Sequence, residues 1–284
     1  EWSRALDILE EMRGHSVVPD TVTYNALISA CGHGLQWLRT LGVFEEMQRR
    51  GTMSDQITYN ALMCACEKMQ QWPHALGLFE EMQQRGMVPD MITYTCAIKA
   101  CGQGQQWLRA LGLLEVMLGR FIVPGTMTNN TLISACEKGQ QWLAALGLFI
   151  DMHKRNITPN TVSYNSLISA CNKGHQWSRA LGLLEEMKRR EISPDAYTYN
   201  TLMSACGRVQ HWSRAFVLFE EMQGYSLVPN AITYNALIST CEQEQQWQAA
   251  LGVLEEMKRR GIMPDTISYS AAISACEKGQ QWLH

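Results

Sequence analysis

Tyr24, Leu27, Ile28 and Cys31 stand at i, i+3, i+4 and i+7, the apolar stripe of an amphipathic helix. Gly34 follows and predicts a stop, because glycine accepts the left-handed conformation at a helix end. Trp37, Leu41, Phe44 and Met47 make a second stripe, closed by Gly51. In most later copies a proline comes next, where it bars the helix from continuing. No stretch alternates at period 2, so no strand is expected. The local prediction is helix, short turn, helix, short linker.

That pattern recurs at a fixed step. Trp2, Trp37, Trp72, Trp107, Trp142, Trp177, Trp212, Trp247 and Trp282 are each 35 residues apart. Eight of the ten cysteines keep the same step from Cys31 to Cys276, as do eight methionines from Met12 to Met257 and seven prolines from Pro19 to Pro264. A period of this size marks a solenoid or array. The length of 284 residues is therefore not a matter of two ordinary domains. Seven complete units are expected at 21–55, 56–90, 91–125, 126–160, 161–195, 196–230 and 231–265, with partial units at 1–20 and 266–284. Both ends cut a unit, so a longer array is expected. One hairpin cannot bury its own apolar faces, whereas stacked copies can. The expected fold is all-α, an α-solenoid with first helices inside and second helices outside.

Units such as TVTYNALISACGHGLQWLRTLGVFEEMQRRGTMSD resemble the 35-residue pentatricopeptide repeat. The resemblance covers the whole chain. It is carried by the opening V/I-T-Y-N, the A-L-x-L/V-F/L-E-E-M of the second helix and the closing G-I/M-x-P-D/N. The G-Q-Q-W and A-C-E-K segments are similar to repeats of dinoflagellate algae. The tetratricopeptide pattern is one residue too short in every unit. The resemblance implies a modular binder of single-stranded RNA in a mitochondrion or plastid, reading about one base per repeat.

In the family, the fifth and last residues of a unit meet the base edge. Here those pairs are Asn25 with Asp55, Asn60 with Asp90, Thr95 with Gly125, Asn130 with Asn160, Asn165 with Asp195, Asn200 with Asn230, and Asn235 with Asp265; Ser270 opens an eighth. Asn supplies a donor and an acceptor, Asp an acceptor. The family pattern implies U for Asn with Asp and C or U for Asn with Asn, hence a pyrimidine track 5′-U-U-x-Y-U-Y-U-3′. Gly125 leaves the third base unspecified. The second residue of each unit is implied to pack between bases: Val22, Ile57, Ile92, Met127, Val162, Tyr197, Ile232 and Ile267. The alternative is that these eight are ordinary first-turn core residues.

A net charge of −3 and a pI near 6.2 do not advertise a nucleic-acid binder. Placement changes that picture. The Glu-Glu pairs, such as Glu45-Glu46 and Glu80-Glu81, lie in second helices and are expected on the outer wall. Lys68, Lys138, Lys173, Arg208 and Lys278 share one position near the end of first helices. They suit a row of phosphate contacts, or equally favourable charges at helix C-termini.

Other chemistry finds little support. The in-phase cysteines fall on the apolar stripe as core thiols, Cys64 and Cys96 are strays, and no Cys-x-x-Cys suggests zinc. GHGLQW and GQGQQW lack the third glycine and the preceding strand of a dinucleotide loop. The tryptophans begin second helices and read as structural, with about 3–5 kcal/mol expected for truncating a well-buried one. Asn129 in place of the usual Tyr is expected to loosen its first helix. No apolar run reaches the ~18 residues of a membrane span, and the first residues do not read as a signal peptide. No catalytic residue, metal, cofactor, membrane or small-molecule substrate is expected. The readings carried forward are an RNA-binding solenoid, assisted by other RNA-processing proteins; a protein-binding scaffold; and the RNA-binding part of a processing enzyme.

Overall fold

The computed structural model describes residues 2–208 and 211–279, the side chain of Arg208 excepted. Trp282 lies outside the described residues. Among them every regular element is an α-helix of 13 residues, and none is long and apolar enough to cross a membrane. The chain divides into two compact units, Glu1–Gly139 and Gln140–His284.

The first unit contains α1 (Trp2–Gly14), α2 (Thr21–His33), α3 (Trp37–Arg49), α4 (Gln56–Lys68), α5 (Trp72–Gln84), α6 (Met91–Gln103), α7 (Trp107–Gly119) and α8 (Thr126–Lys138). Here α2, α4, α6 and α8 touch in succession, while α3, α5 and α7 each pack against the first helix before and the first helix after. No contact joins α3 to α5 or α5 to α7 among the described residues. A row whose members touch is the inner arc of a curve, so first helices line the inside of this unit. The second unit contains α9 (Trp142–Lys154), α10 (Thr161–Lys173), α11 (Trp177–Arg189), α12 (Ala196–Arg208), α13 (Trp212–Gly224), α14 (Ala231–Gln243), α15 (Trp247–Arg259) and α16 (Thr266–Lys278). Taken by itself it repeats the pattern: α10, α12, α14 and α16 touch in succession. These stacked helical hairpins are the α-solenoid expected from the period.

The predicted stripes form the core. Tyr24, Ile28, Cys31 and Met47 have no exposed surface, and their counterparts from Tyr59 to Met257 follow suit where the residue type is kept, whereas Tyr269 and Ile273 of α16 are exposed. Aromatic edges join one repeat to the next: Phe44 meets Tyr59, Phe79 meets Tyr94, and Phe149 meets Tyr164, with ring centroids 4.9–5.9 Å apart. All ten cysteines are free thiols. The GHGLQW and GQGQQW segments are the turns between first and second helices.

Four expectations change. Gly34 has φ −78° and is not left-handed; the left-handed residue is the next one, Leu35 at φ 56°. Glycine there supplies space rather than a left-handed turn: a Cβ on Gly34 would overlap Trp2, and one on Gly104 or Gly139 would overlap Trp72 or Trp107, while Met69 and Glu244 hold the same place in their repeats. Those tryptophans are half-buried rather than fully buried, so their truncation is expected to cost less than a core aromatic. The second Glu of four Glu-Glu pairs is not simply on an outer wall. Glu46, Glu81, Glu186 and Glu221 accept hydrogen bonds from the buried hydroxyls of Tyr24, Tyr59, Tyr164 and Tyr199 at 2.7–3.2 Å. Finally, α8 keeps its full 13 residues with Asn129, which is buried and donates its amide to the carbonyl of Gly125 at 2.9 Å.

Candidate nucleic-acid interface

Each unit's last residue is the N-cap of the next first helix. Asp20, Asp55, Asp90, Asn160, Asp195, Asn230 and Asp265 accept a backbone N–H from the third helical residue, at 2.8–3.1 Å. Apart from Thr23 of the first helix, whose hydroxyl bonds Asp20 instead, that third residue, Thr or Ser, accepts the cap's own N–H on its hydroxyl. This reciprocal capping box satisfies two orphan donors at the helix start. Gly125 has the same extended backbone but no side chain to cap α8.

The fifth residue of the preceding unit completes a triad. Asn25 donates its amide N–H to Asp55 at 3.2 Å and accepts the Thr58 hydroxyl at 2.7 Å. Asn60 does the same with Asp90, at 3.5 Å, and Thr93, at 2.7 Å. In the second unit Asn165 pairs with Asp195 at 3.1 Å and Thr198 at 2.6 Å. Asn235 pairs with Asp265 at 3.2 Å and Ser268 at 2.5 Å. Each carboxamide thereby spends one donor and one acceptor internally and keeps one of each. The bonds from Thr58 and Thr93 outweigh burial at Asp55 and Asp90 and hold both carboxyls below the usual carboxylate range.

Thr95 and Asn200 depart from the triad. The Thr95 hydroxyl turns back to the Met91 carbonyl at 2.7 Å and meets the Thr128 hydroxyl at 2.8 Å. Thr233 bonds Asn230 at 3.2 Å, and the buried Oδ1 of Asn200 has no partner. Asn130 lies half-exposed on α8, Asn160 caps α10, and Ser270 is exposed on α16.

The second-position column settles one open alternative. All eight side chains are exposed, from 52% at Tyr197 to 75% at Met127. They are not first-turn core residues. In the first unit, Ile57, Asn60, Asp90 and Ile92 line one cleft of about 660 Å³, with Lys68 and Cys64 also on its wall. Two aliphatic side chains of successive repeats therefore share this cleft with a polar Asn–Asp pair.

The cations are less uniform than their spacing suggests. Lys68, Lys138, Lys173 and Lys278 are all exposed at the ends of first helices. Lys278 is ion-paired with Glu242 at 2.8 Å. The side chain of Arg208 lies outside the described residues.

The residues that sequence reasoning passed over are the third-position hydroxyls, Thr58, Thr93, Thr198 and Ser268, which fix the Asn side chains. Their signal was present in the D-x-x-T spacing across each unit boundary, a capping-box pattern.

These features define a helical-hairpin repeat protein whose first helices present a periodic polar and apolar surface. Profiles of the PPR repeat family match residues 19–68, 54–103, 124–173, 159–208, 198–243 and 229–278. A pentatricopeptide repeat domain profile matches 2–34, and a PPR repeat profile matches 92–120. The chain belongs to the pentatricopeptide repeat family. No curated protein sequence matches it. Among solved structures it is similar to the maize pentatricopeptide repeat protein PPR10, at 27% identity and a TM-score of 0.58. That match covers 99% of this chain and 45% of the maize chain, so the chain spans under half the length of that protein. PPR10 in complex with an 18-nt psaJ RNA element matches at 21% identity and a TM-score of 0.67, over 98% of this chain and 46% of that one. The PPR domain of Arabidopsis thaliana protein-only RNase P 1, in complex with tRNA, matches at 14% identity and a TM-score of 0.55, over 63% and 95%.

Proposed function

We propose that the chain binds single-stranded RNA, one base per repeat, with a preference for pyrimidines. The observation that carries this reading is the cleft where Ile57 and Ile92 accompany the Asn60–Asp90 pair. Aliphatic side chains offer a surface for base faces. The unused amide N–H of Asn60 and the Asp90 carboxylate offer a donor beside an acceptor, which fits the O4 and N3–H edge of uracil. Where Asn160 or Asn230 replaces Asp, the cap holds Oδ1 and the Nδ2 amide is the donor offered to the N3 acceptor of cytosine, so cytosine is accepted as well. The RNA complex of the maize relative supports the same partner, and Lys68, Lys138 and Lys173 are the residues we assign to phosphates. We assign this chain binding rather than catalysis. The family resemblance extends the proposal to organellar RNA processing, stabilisation, editing or translation.

The test is a gel shift of the full chain with a U/C-rich and an A-rich single strand of equal length, at two salt concentrations. Tighter binding of the U/C-rich strand at both is expected. Equal affinity for both strands overturns the pyrimidine code. Binding to neither, together with capture of a protein ligand on the same face, overturns RNA binding itself.

A further inference from the structure

Eight of the ten cysteines occupy one core position, and Cys64 and Cys96 do not. Cys64 holds the ninth position of its unit, where the other first helices carry Ser, or Lys99. Cys96 holds the sixth position, where the others carry Ala, Thr or Ser. Neither column calls for a thiol. The two departures nevertheless meet: α4 packs against α6, and the two Sγ atoms are 3.4 Å apart.

Their environments differ in a useful way. Cys64 is half-buried and lines the 660 Å³ cleft, so a small solute reaches it. Cys96 is 6% exposed and sits behind it. The hydrogen bond from Cys96 holds the Cys64 thiol below its usual range, against burial and Glu67, with Lys68 and Lys99 adding to the effect. Thiolate character and access are what make a cysteine reactive. The core cysteines are the opposite case: burial pushes Cys66 up to about 12, and Cys101 and Cys136 up to about 11.

We propose that Cys64 and Cys96 form a reversible dithiol–disulfide pair that ties α4 to α6 at the wall of the cleft. The oxidant is a small-molecule disulfide such as oxidised glutathione. The Cys64 thiolate attacks one glutathione sulfur, the glutathione S–S bond breaks, and one glutathione leaves and takes up a proton. Cys96 then gives its proton to solvent and attacks the Cys64 sulfur, and the second glutathione leaves protonated. Two protein thiols are oxidised to one disulfide, and one glutathione disulfide is reduced to two thiols. The sulfurs need close by only about 1.4 Å to reach bonding distance. Cys64 lies one turn beyond Asn60 and Cys96 directly follows Thr95, so the link fixes the spacing of two successive first helices. This inference does not rest on RNA binding.

The experiment incubates the full chain with glutathione buffers of increasing oxidised fraction. Free thiols are then alkylated in denaturant and peptides are mapped by mass spectrometry. The expected result is loss of two thiols of ten, a single Cys64–Cys96 linked peptide, and full recovery with dithiothreitol. Cys96→Ser is expected to stop at a glutathione adduct on Cys64, and Cys64→Ser to remain unmodified. Both variants place Ser where other repeats already carry it, so folding is retained. Ten free thiols at every ratio, a link through a core cysteine, or a wild-type chain that accumulates only the Cys64 adduct would each overturn the proposal.

Discussion

Gly104→Ala separates two explanations for the glycine at the end of a first helix. If glycine served a left-handed turn, any substitution would be strained by the backbone. Gly104 has φ −80° and ψ 8°, which any residue adopts. On backbone grounds alone, alanine would stabilise by about 0.4–1 kcal/mol through the unfolded chain. Space decides otherwise. The new Cβ would lie 2.7 Å from Trp72 Cε3, 2.8 Å from Cδ2 and 3.0 Å from Cζ3, whereas carbons in contact sit about 3.5–4.0 Å apart. Overpacking of this kind costs about 1–3 kcal/mol, so a net loss of about 1–2 kcal/mol is expected. Urea unfolding of the full chain, followed by helical circular dichroism, measures it. Two controls sharpen the result. Gln105→Gly, at the residue that is left-handed with φ 56°, is expected to be neutral or stabilising, because a side chain there costs about 1–2 kcal/mol. In a Trp72→Ala background, Gly104→Ala is expected to lose its penalty. A Gly104→Ala chain as stable as the parent, or more so, would refute the argument from space.

Val116→Glu supplies the acceptor that Tyr94 lacks, since its buried hydroxyl has no partner while Tyr59 has Glu81 at 3.0 Å; a gain of about 1–2 kcal/mol is expected, and an unchanged melting temperature would refute it. Asp90→Asn keeps the cap, as Asn160 and Asn230 do in their own units, so stability is expected within about 0.5 kcal/mol of the parent while base preference at that repeat broadens from U toward C; unchanged preference in a binding series removes Asp90 as a reader. Burial, with Glu81 and Glu186 close by, pushes the phenols of Tyr59 and Tyr164 up to about 12. The folded chain thus holds those protons more tightly than the unfolded chain, so this stability is complete below about pH 10 and is lost as pH rises toward 12; a flat unfolding midpoint over that window would contradict it. Lys68→Gln is expected to weaken RNA binding equally for all sequences and to flatten the log–log salt slope by about 0.7; a sequence-dependent loss would argue against a phosphate contact.

Much of the architecture could be read from spacing, because a 35-residue step in Trp, Cys, Met and Pro leaves little freedom in where helices begin and end. The candidate columns were also visible as residue types, the apolar second positions and the Asn and Asp residues, but the exposure of the second positions came only from the structure. Their surroundings were hidden as well. Asn60 and Thr93 are 33 residues apart, and nothing local says that a hydroxyl across the boundary will fix the carboxamide. Tyr59 and Glu81 sit on different helices, so the glutamate read as surface charge. Cys64 and Cys96 looked like noise in the period until α4 packed on α6.

The sequence by itself determined the helices, their order and the family, since hydrophobic periodicity and capping residues act over a few residues of chain. Tertiary structure alone decided which side chains face each other across repeats. That packing set Gly104 against Trp72 with no room for a Cβ, turned Asn, Asp and Thr into one hydrogen-bonded unit, and brought two stray thiols to 3.4 Å. Contacts between stacked hairpins depend on how the helices nest, and nesting is a property of the array rather than of any one repeat.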